Sequence, residues 1–266
     1  MNRTMLNEIL RAAPAFLLVA VRALAMIETS PLLSSDAVPQ VAKVALAGLT
    51  AYATFTFVSD WNMSAFGLEF VFFVIGEALI GIIIGFFITI VFASFSTAGQ
   101  FFSLQMGFGA SETFDPLTQV ENPLIGQFLN LVALLVFLTM DGFQTLFLRG
   151  FWRSVQSLSV IQLINGRESV VTLLLHGLSR LFLDALIISL PILGTLFLIS
   201  LATGLISKAA PQINILSEGF PISIIVAFIM ILVTMPFMVE SFSHVLTAGF
   251  QSIEDILRTI GTQIEQ

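Results

Sequence analysis

Residues 78–111 read ALIGIIIGFFITIVFASFSTAGQFFSLQMGFGAS, 34 positions without a single Lys, Arg, Asp or Glu. About 20 apolar residues cross the hydrocarbon of a bilayer, so this run is longer than one span. It passes into Gly107-Phe108-Gly109-Ala110-Ser111-Glu112-Thr113-Phe114-Asp115-Pro116, where glycines and acids appear together. An apolar rod that feeds a glycine-rich, acid-tipped loop predicts a membrane-embedded part whose working element is the loop.

Composition extends that reading to the whole chain. Of 266 residues 57% are hydrophobic and 10% charged, against about a quarter charged in soluble domains. A net charge of −7 argues against nucleic acid as a partner, because phosphate binding needs clustered Lys and Arg. With no cysteine there is no disulfide framework, thiolate nucleophile or cysteine metal site. Arg3 and Arg11 ahead of an apolar stretch imitate a signal peptide. That stretch lacks a small-x-small cleavage site and contains Arg22, so it reads as a retained first segment.

Charge-poor runs cover residues 12–27, 37–58, 70–95, 123–148, 181–206 and 220–239. They are continuously apolar rather than alternating, which predicts spanning helices and argues against a β-barrel. The expected fold is all-α, with about six long apolar segments arranged as integral-membrane helical hairpins. Asp36 is placed to cap the second segment with Pro39 in its first turn. Asn122-Pro123 opens the fourth segment and Gly219-Phe220-Pro221 the sixth. The third does not stop at residue 95. Ser96, Gly99, Ser103 and Gly107 continue a small-residue stripe at helical spacing, so a helix from residue 70 to 106 would be about 55 Å long. Gly81 and Gly85 form a G-x-x-x-G pair for close helix packing, within the chain or between subunits. With an even number of spans, Arg3, Arg11, Arg149, Arg153, Arg167, Arg180 and Arg258 share one side. The positive-inside rule then puts both termini in the cytoplasm and the acid-tipped loop outside.

Arg22, Lys43, Glu77 and Asp184 fall in or near apolar segments, each costing up to about 3 kcal/mol if unpaired at a helix centre. Lys43 sits near a segment start and is expected to snorkel. Asp184 follows Arg180 by four residues, the spacing of a local ion pair. Glu77 has no partner within a turn; a bond to another helix or subunit is the leading expectation for it and a proton relay the lesser one. Aromatic usage is lopsided, with 27 Phe against 2 Trp and 1 Tyr. Such a surface suits packing against protein better than an interfacial belt. Phe108 and Phe114 beside the glycines would suit either a loop anchor or a dewetting constriction. His176 and His244 form no metal-ligand pattern, and no phosphate loop, dinucleotide fingerprint or nucleophile elbow occurs. Nothing points to an enzyme, a cofactor or a metal.

Three stretches together resemble the FliR/SctT family of type III export-gate proteins. The first is Arg22-Ala23-Leu24-Ala25 with Pro31-Leu32-Leu33-Ser34 and Val38-Pro39. The second runs from Gly76-Glu77-Ala78-Leu79-Ile80-Gly81 through Gly99-Gln100 and Leu104-Gln105-Met106-Gly107 to Asp115-Pro116 and Gly126-Gln127-Phe128-Leu129-Asn130-Leu131. The third is Ser207-Lys208-Ala209-Ala210-Pro211-Gln212-Ile213-Asn214. Order and spacing agree along nearly the whole chain. The Leu-Gln-Met-Gly form looks flagellar rather than injectisomal, and Glu112 and Phe114 depart from the family form.

The resemblance implies a subunit that assembles with FliP-like and FliQ-like proteins into a helical, pseudo-hexameric gate wrapped by an FlhB-like protein in the bacterial inner membrane. It implies a FliP-like part over 1–168 and a FliQ-like hairpin and tail over 169–266. It also implies a plug over about 106–122, comprising Met106, Gly107, Phe108, Gly109, Phe114, Asp115 and Pro116. The substrates implied are unfolded flagellar proteins. Two other classes stand beside this reading: a secondary transporter using Glu77 and Asp184, which calls for inverted repeats that are not seen, and a scaffold that never lines a pore.

Overall fold

The computed structural model describes residues 3–35, 38–55, 67–107, 124–209 and 215–262, and every regular element among them is helical. The all-α expectation holds. In chain order these are α1 (Arg3–Thr29), α2 (Gln40–Phe55), α3 (Leu68–Met106) and α4 (Leu124–Thr139). A short turn α5 (Gly142–Thr145), a π-helical stretch (Leu146–Trp152), α6 (Arg153–Ser157) and α7 (Val160–Asn165) follow. Two long helices, α8 (Arg167–Ala209) and α9 (Ile215–Thr262), complete the order.

Two compact units emerge from these elements. One takes Met1–Ile90, Asp141–Gly177 and Thr247–Gln266; the other takes Val91–Met140 and Leu178–Leu246. In the first unit α1 and the N-terminal half of α3 are in backbone contact, and the pattern is a single ridge of α3. Glu77 bonds Arg22, a Cβ on Gly81 would overlap the Arg22 carbonyl, and one on Gly85 would lie 2.7 Å from the Met26 carbonyl. The Thr89 hydroxyl donates to the carbonyl of Thr29 at 2.7 Å, satisfying an orphan acceptor at the end of α1. Residues four apart share a helix face, and both partner lists ascend together, so the two helices run parallel. The Gly81/Gly85 pair therefore serves a contact within the chain.

In the second unit the C-terminal half of α3 packs on α4. A Cβ on Gly99 would sit 2.6 Å from the Gly126 Cα, and Phe92 meets Phe137 with ring centroids 5.6 Å apart. Here one list ascends while the other descends, so α3 and α4 are antiparallel. Phe95, fully buried, also stacks on Phe242 of α9 at 4.4 Å, and Gln105 donates to Ser200 of α8 at 3.4 Å.

The third segment behaves as its stripe suggested. The 39 residues of α3 make a rod of about 58 Å, nearly twice the ~30 Å of hydrocarbon. Other boundaries moved. Six spanning segments were expected; among the described residues three helices are long and apolar enough to cross a membrane (Leu68–Met106, Arg167–Ala209 and Pro221–Asp255). A fourth appears if the bent pair Leu124–Thr139 with Gly142–Ser157 counts as one. The fourth segment stops at Thr139 rather than at residue 148. Asp141 adopts the left-handed conformation (φ 52, ψ 39) and the chain turns by 72° there. Asp is one of the few side chains that tolerate this region, and Gly142 follows it. The sixth segment does not open at Gly219-Phe220-Pro221. Helix α9 starts at Ile215 and carries Pro221 and Pro236 inside it, as long membrane helices can when neighbouring groups absorb the lost bond. Pro39 stands just before α2, where its carbonyl accepts from the amides of Ala42 and Lys43. The capping expectations for Asp36 and for Asn122-Pro123 involve residues outside the described set.

Glycines in contact and glycines in the open should respond in opposite directions. Gly81→Ala pushes a methyl into α1 backbone, and a core forced to accept extra atoms loses about 1–3 kcal/mol. Gly194 lies in the interior of α8 with nothing within 4 Å of its virtual Cβ, so Gly194→Ala should stabilise by up to about 1 kcal/mol through helix propensity. Thermal unfolding in detergent, followed by loss of the monodisperse peak, compares the two. Equal effects would contradict the packing described.

Candidate functional site

Buried charge marks the first unit. Arg22 is fully buried and Glu77 is 1% exposed, and the Arg22 Nε donates to the Glu77 Oε2 at 2.5 Å. A carboxylate alone does not occupy a guanidinium with five N–H donors. The Arg22 Nη1 donates to the Ser154 Oγ at 3.3 Å and its Nη2 to the Leu158 carbonyl at 2.9 Å. The Ser154 hydroxyl in turn donates a hydrogen bond to the carbonyl of Phe151 at 2.6 Å. One side chain thus ties α1 to α3, to α6 and to the residue after α6.

Local structure prepares these acceptors. Leu158 is in extended conformation (φ −130, ψ 110), so its carbonyl is released from helical pairing. The next helix starts with a capping box: the Gln162 amide donates to the Ser159 Oγ at 3.3 Å and the Ser159 amide to the Gln162 Oε1 at 2.6 Å. Ser-x-x-Gln at residues 159–162 is a sequence signal that ends one helix and begins the next, as Asp141-Gly142 is for the bend before it. Ser154 and the Leu158 carbonyl carry no sequence signature, because only the fold brings them to Arg22.

The remaining charges fall into place differently. Lys43 was expected to snorkel and does not: it is 3% exposed, with its Nζ donating to the Glu28 Oε2 and to the Ser34 carbonyl, each at 3.1 Å. It closes α2 onto the end of α1, where two acceptors outweigh a path to solvent. Arg180 and Asp184 are a local pair with Nε to Oδ2 at 3.7 Å. The Arg180 side chain is 60% exposed, so of the two only Asp184 is largely enclosed. Arg153 bonds Glu254, joining α6 to the last turns of α9.

Of the expected plug residues, Met106 is fully buried at the end of α3 and Gly107 follows at φ 90, its amide bonded to the Leu104 carbonyl at 3.1 Å. That backbone region is open to glycine at no steric cost, so the helix terminates where the acid-tipped stretch begins. Phe108, Gly109, Phe114, Asp115 and Pro116 lie outside the described residues. Among the described residues no group of three or more His, Cys, Asp or Glu is gathered as a metal site would need.

Residues 13–249 match the family described as bacterial export proteins, family 1. The chain is 31% identical to the flagellar biosynthetic protein FliR of Bacillus subtilis over 96% of its own length and 99% of that relative's. It is 35% identical to FliR of Borreliella burgdorferi over 72% and 71% of the two chains, and 29% identical to FliR of Escherichia coli over 89% and 90%. The chain belongs to this family of bacterial export proteins, and the resemblance read from the three sequence stretches stands.

The Arg22 cluster predicts that either half of the buried pair is costly to lose. Glu77→Gln keeps an oxygen acceptor for the Arg22 Nε but leaves a fully buried guanidinium, which cannot deprotonate, without a counter-charge, and should cost about 3 kcal/mol. Arg22→Ala strands a buried carboxylate and should cost about 3–5 kcal/mol. Exchanging the charges, Arg22→Glu with Glu77→Arg, should not rescue, because the hydroxyl of Ser154 and the carbonyl of Leu158 need a donor at position 22. Thermal inactivation of the purified chain orders the three; rescue by the exchange would show that only the ion pair matters.

Proposed function

We propose that this chain, a membrane component of the flagellar export apparatus, is a core subunit of the type III protein export gate. It would form with FliP-like and FliQ-like subunits the pore through which unfolded flagellar proteins leave the cytoplasm. An FlhB-like subunit would wrap the assembly at the flagellar basal body of the inner membrane. Residues 1–168 would be the FliP-like part and 169–266 the FliQ-like part. The observation that carries the reading is likeness to a FliR over 96% of the chain. Helix α3 adds physical support: it is too long for one bilayer and ends at Gly107 in a conformation that lets the backbone change direction. Exposed Phe182, Phe197, Phe228 and Phe237 on the two long C-terminal helices leave apolar surface for neighbouring subunits to cover. The matched relatives are flagellar by name, which favours a flagellar role over an injectisome one.

In this proposal residues 106–122 act as a movable plug. Phe108 and Phe114 supply apolar bulk that keeps a closed pore dry, Gly107 and Gly109 free the backbone to swing, and Glu112 and Asp115 keep the opened segment hydrated. Replacing residues 107–115 by a short flexible linker should give assembled complexes that leak small ions across the inner membrane without substrate. Intact assembly with no added conductance would reduce the segment to a connector. A tag on this chain should also bring down FliP-like, FliQ-like and FlhB-like proteins. A compact, monodisperse monomer with no affinity for them would overturn the gate reading itself.

A further inference from the structure

Within the second unit, Gln100, Gln127, Ser96 and Asn130 gather on one face, and among the described residues none of the four side chains is hydrogen-bonded to another element. Gly99 of α3 and Gly126 of α4 are in backbone contact, and the two helices are antiparallel. Each α-helical step turns by about 100°. In an antiparallel pair the residues that follow the two contact points therefore swing to the same side. These are Gln100 and Gln127, and both are exposed. The same rotation brings half-buried Ser96 and Asn130 to that side, about one turn away and roughly level with each other. The opposite side of α3 is occupied: Gln105 meets Ser200 of α8, and Phe95 meets Phe242 of α9. Of the amides on the free side, the Asn130 Oδ1 is shielded from solvent and accepts no hydrogen bond.

Four neutral polar side chains on one face, two exposed and two half-buried, are out of keeping with lipid, which offers no hydrogen bond in return. A primary amide presents an acceptor and two donors, the complement of a peptide group, and it does so whatever side chains the peptide carries. We propose that Gln100 and Gln127, backed by Ser96 and Asn130, line the export path and hydrogen-bond the main chain of the extended polypeptide passing through it. This rests on the gate reading. A face built this way takes unfolded chains of any sequence and holds none tightly, because each bond to the main chain replaces one to water with little net gain.

The test uses the assembled complex with a substrate stalled in transit. A photo-reactive side chain placed at position Gln100 or Gln127 should crosslink to the substrate, while one at Gln105, on the occupied side of α3, should not. Crosslinking of Gln100 and Gln127 only to lipid or to a neighbouring subunit would overturn the proposal. So would substrate crosslinks that appear elsewhere in the complex but never at these two positions. In parallel, Gln100→Leu combined with Gln127→Leu should assemble and slow export about tenfold, with Gln100→Asn and Gln127→Asn restoring most of it. Export at the parental rate by the leucine pair would sink the idea. If no position in this chain or its partners ever meets substrate, the gate reading fails instead.

Discussion

A buried guanidinium must find acceptors for its donors, and the first unit is arranged around that requirement at Arg22. Its side chain is fully enclosed and reaches three acceptors on elements 55, 132 and 136 residues away in sequence. A charge taken out of water without partners costs several kcal/mol. The parallel pairing of α1 with α3, the extended residue at Leu158 and the capping box at Ser159 therefore form together or leave Arg22 unpaired. This also accounts for Glu77. Standing alone in an apolar helix it looks like a candidate proton carrier, yet in the fold its carboxylate is enclosed and engaged by Arg22, and among the described residues no second carboxylate is bonded to it.

Helix α3 poses the complementary problem. It is apolar on every side, so hydrophobicity cannot choose which face meets a neighbour. Rotation is instead set where side chains are missing or polar. Along its first half Glu77, Gly81, Gly85 and Thr89, each four residues after the last, all touch α1. Along its second half Gly99 meets Gly126. Removing Cβ atoms allows backbones to approach, which is how helices associate when burial of apolar surface gives no preference. Within one unit the first half of α3 thereby fixes α1 in parallel, and within the other its second half fixes α4 in antiparallel.

How much of this could be read from the sequence follows from the same physics. The all-helical class and the over-long third segment were legible because charge-free length is a local property. Glu77, Gly81 and Gly85 were each singled out, yet as separate features; joining them to Thr89 as one ridge required knowing the partner. The break at Met140-Asp141 was missed because apolar residues continue on both sides of it, so a reading by charge ran straight past Asp141-Gly142. Lys43 was misread because a position near a segment start suits snorkelling unless acceptors lie closer. Glu28 and the Ser34 carbonyl do, and only the turn between α1 and α2 reveals it. The start of α9 was misplaced because Pro is enriched at helix starts, and the preference was applied where the helix had already begun.

The π-helical stretch Leu146–Trp152 belongs with these breaks, since it corrects for one of them. After the 72° turn at Asp141 the chain must bring Ser154 to Arg22 while Arg153 reaches Glu254. A π turn widens the helix and holds an extra residue relative to an α-helix, so it shifts the angular position of everything that follows. Gly150, inside that stretch, has Ile84 of α3 as an ordinary neighbour at 3.5 Å from a virtual Cβ, so the widening is not forced by a clash there. The constraint lies downstream instead. Ser154 is fully buried and must donate to the Phe151 carbonyl as well as accept from Arg22. The Phe151 bond is a local one that any helical serine can make, so only the contact with Arg22 depends on how the irregular turn just ahead of Ser154 orients the helix.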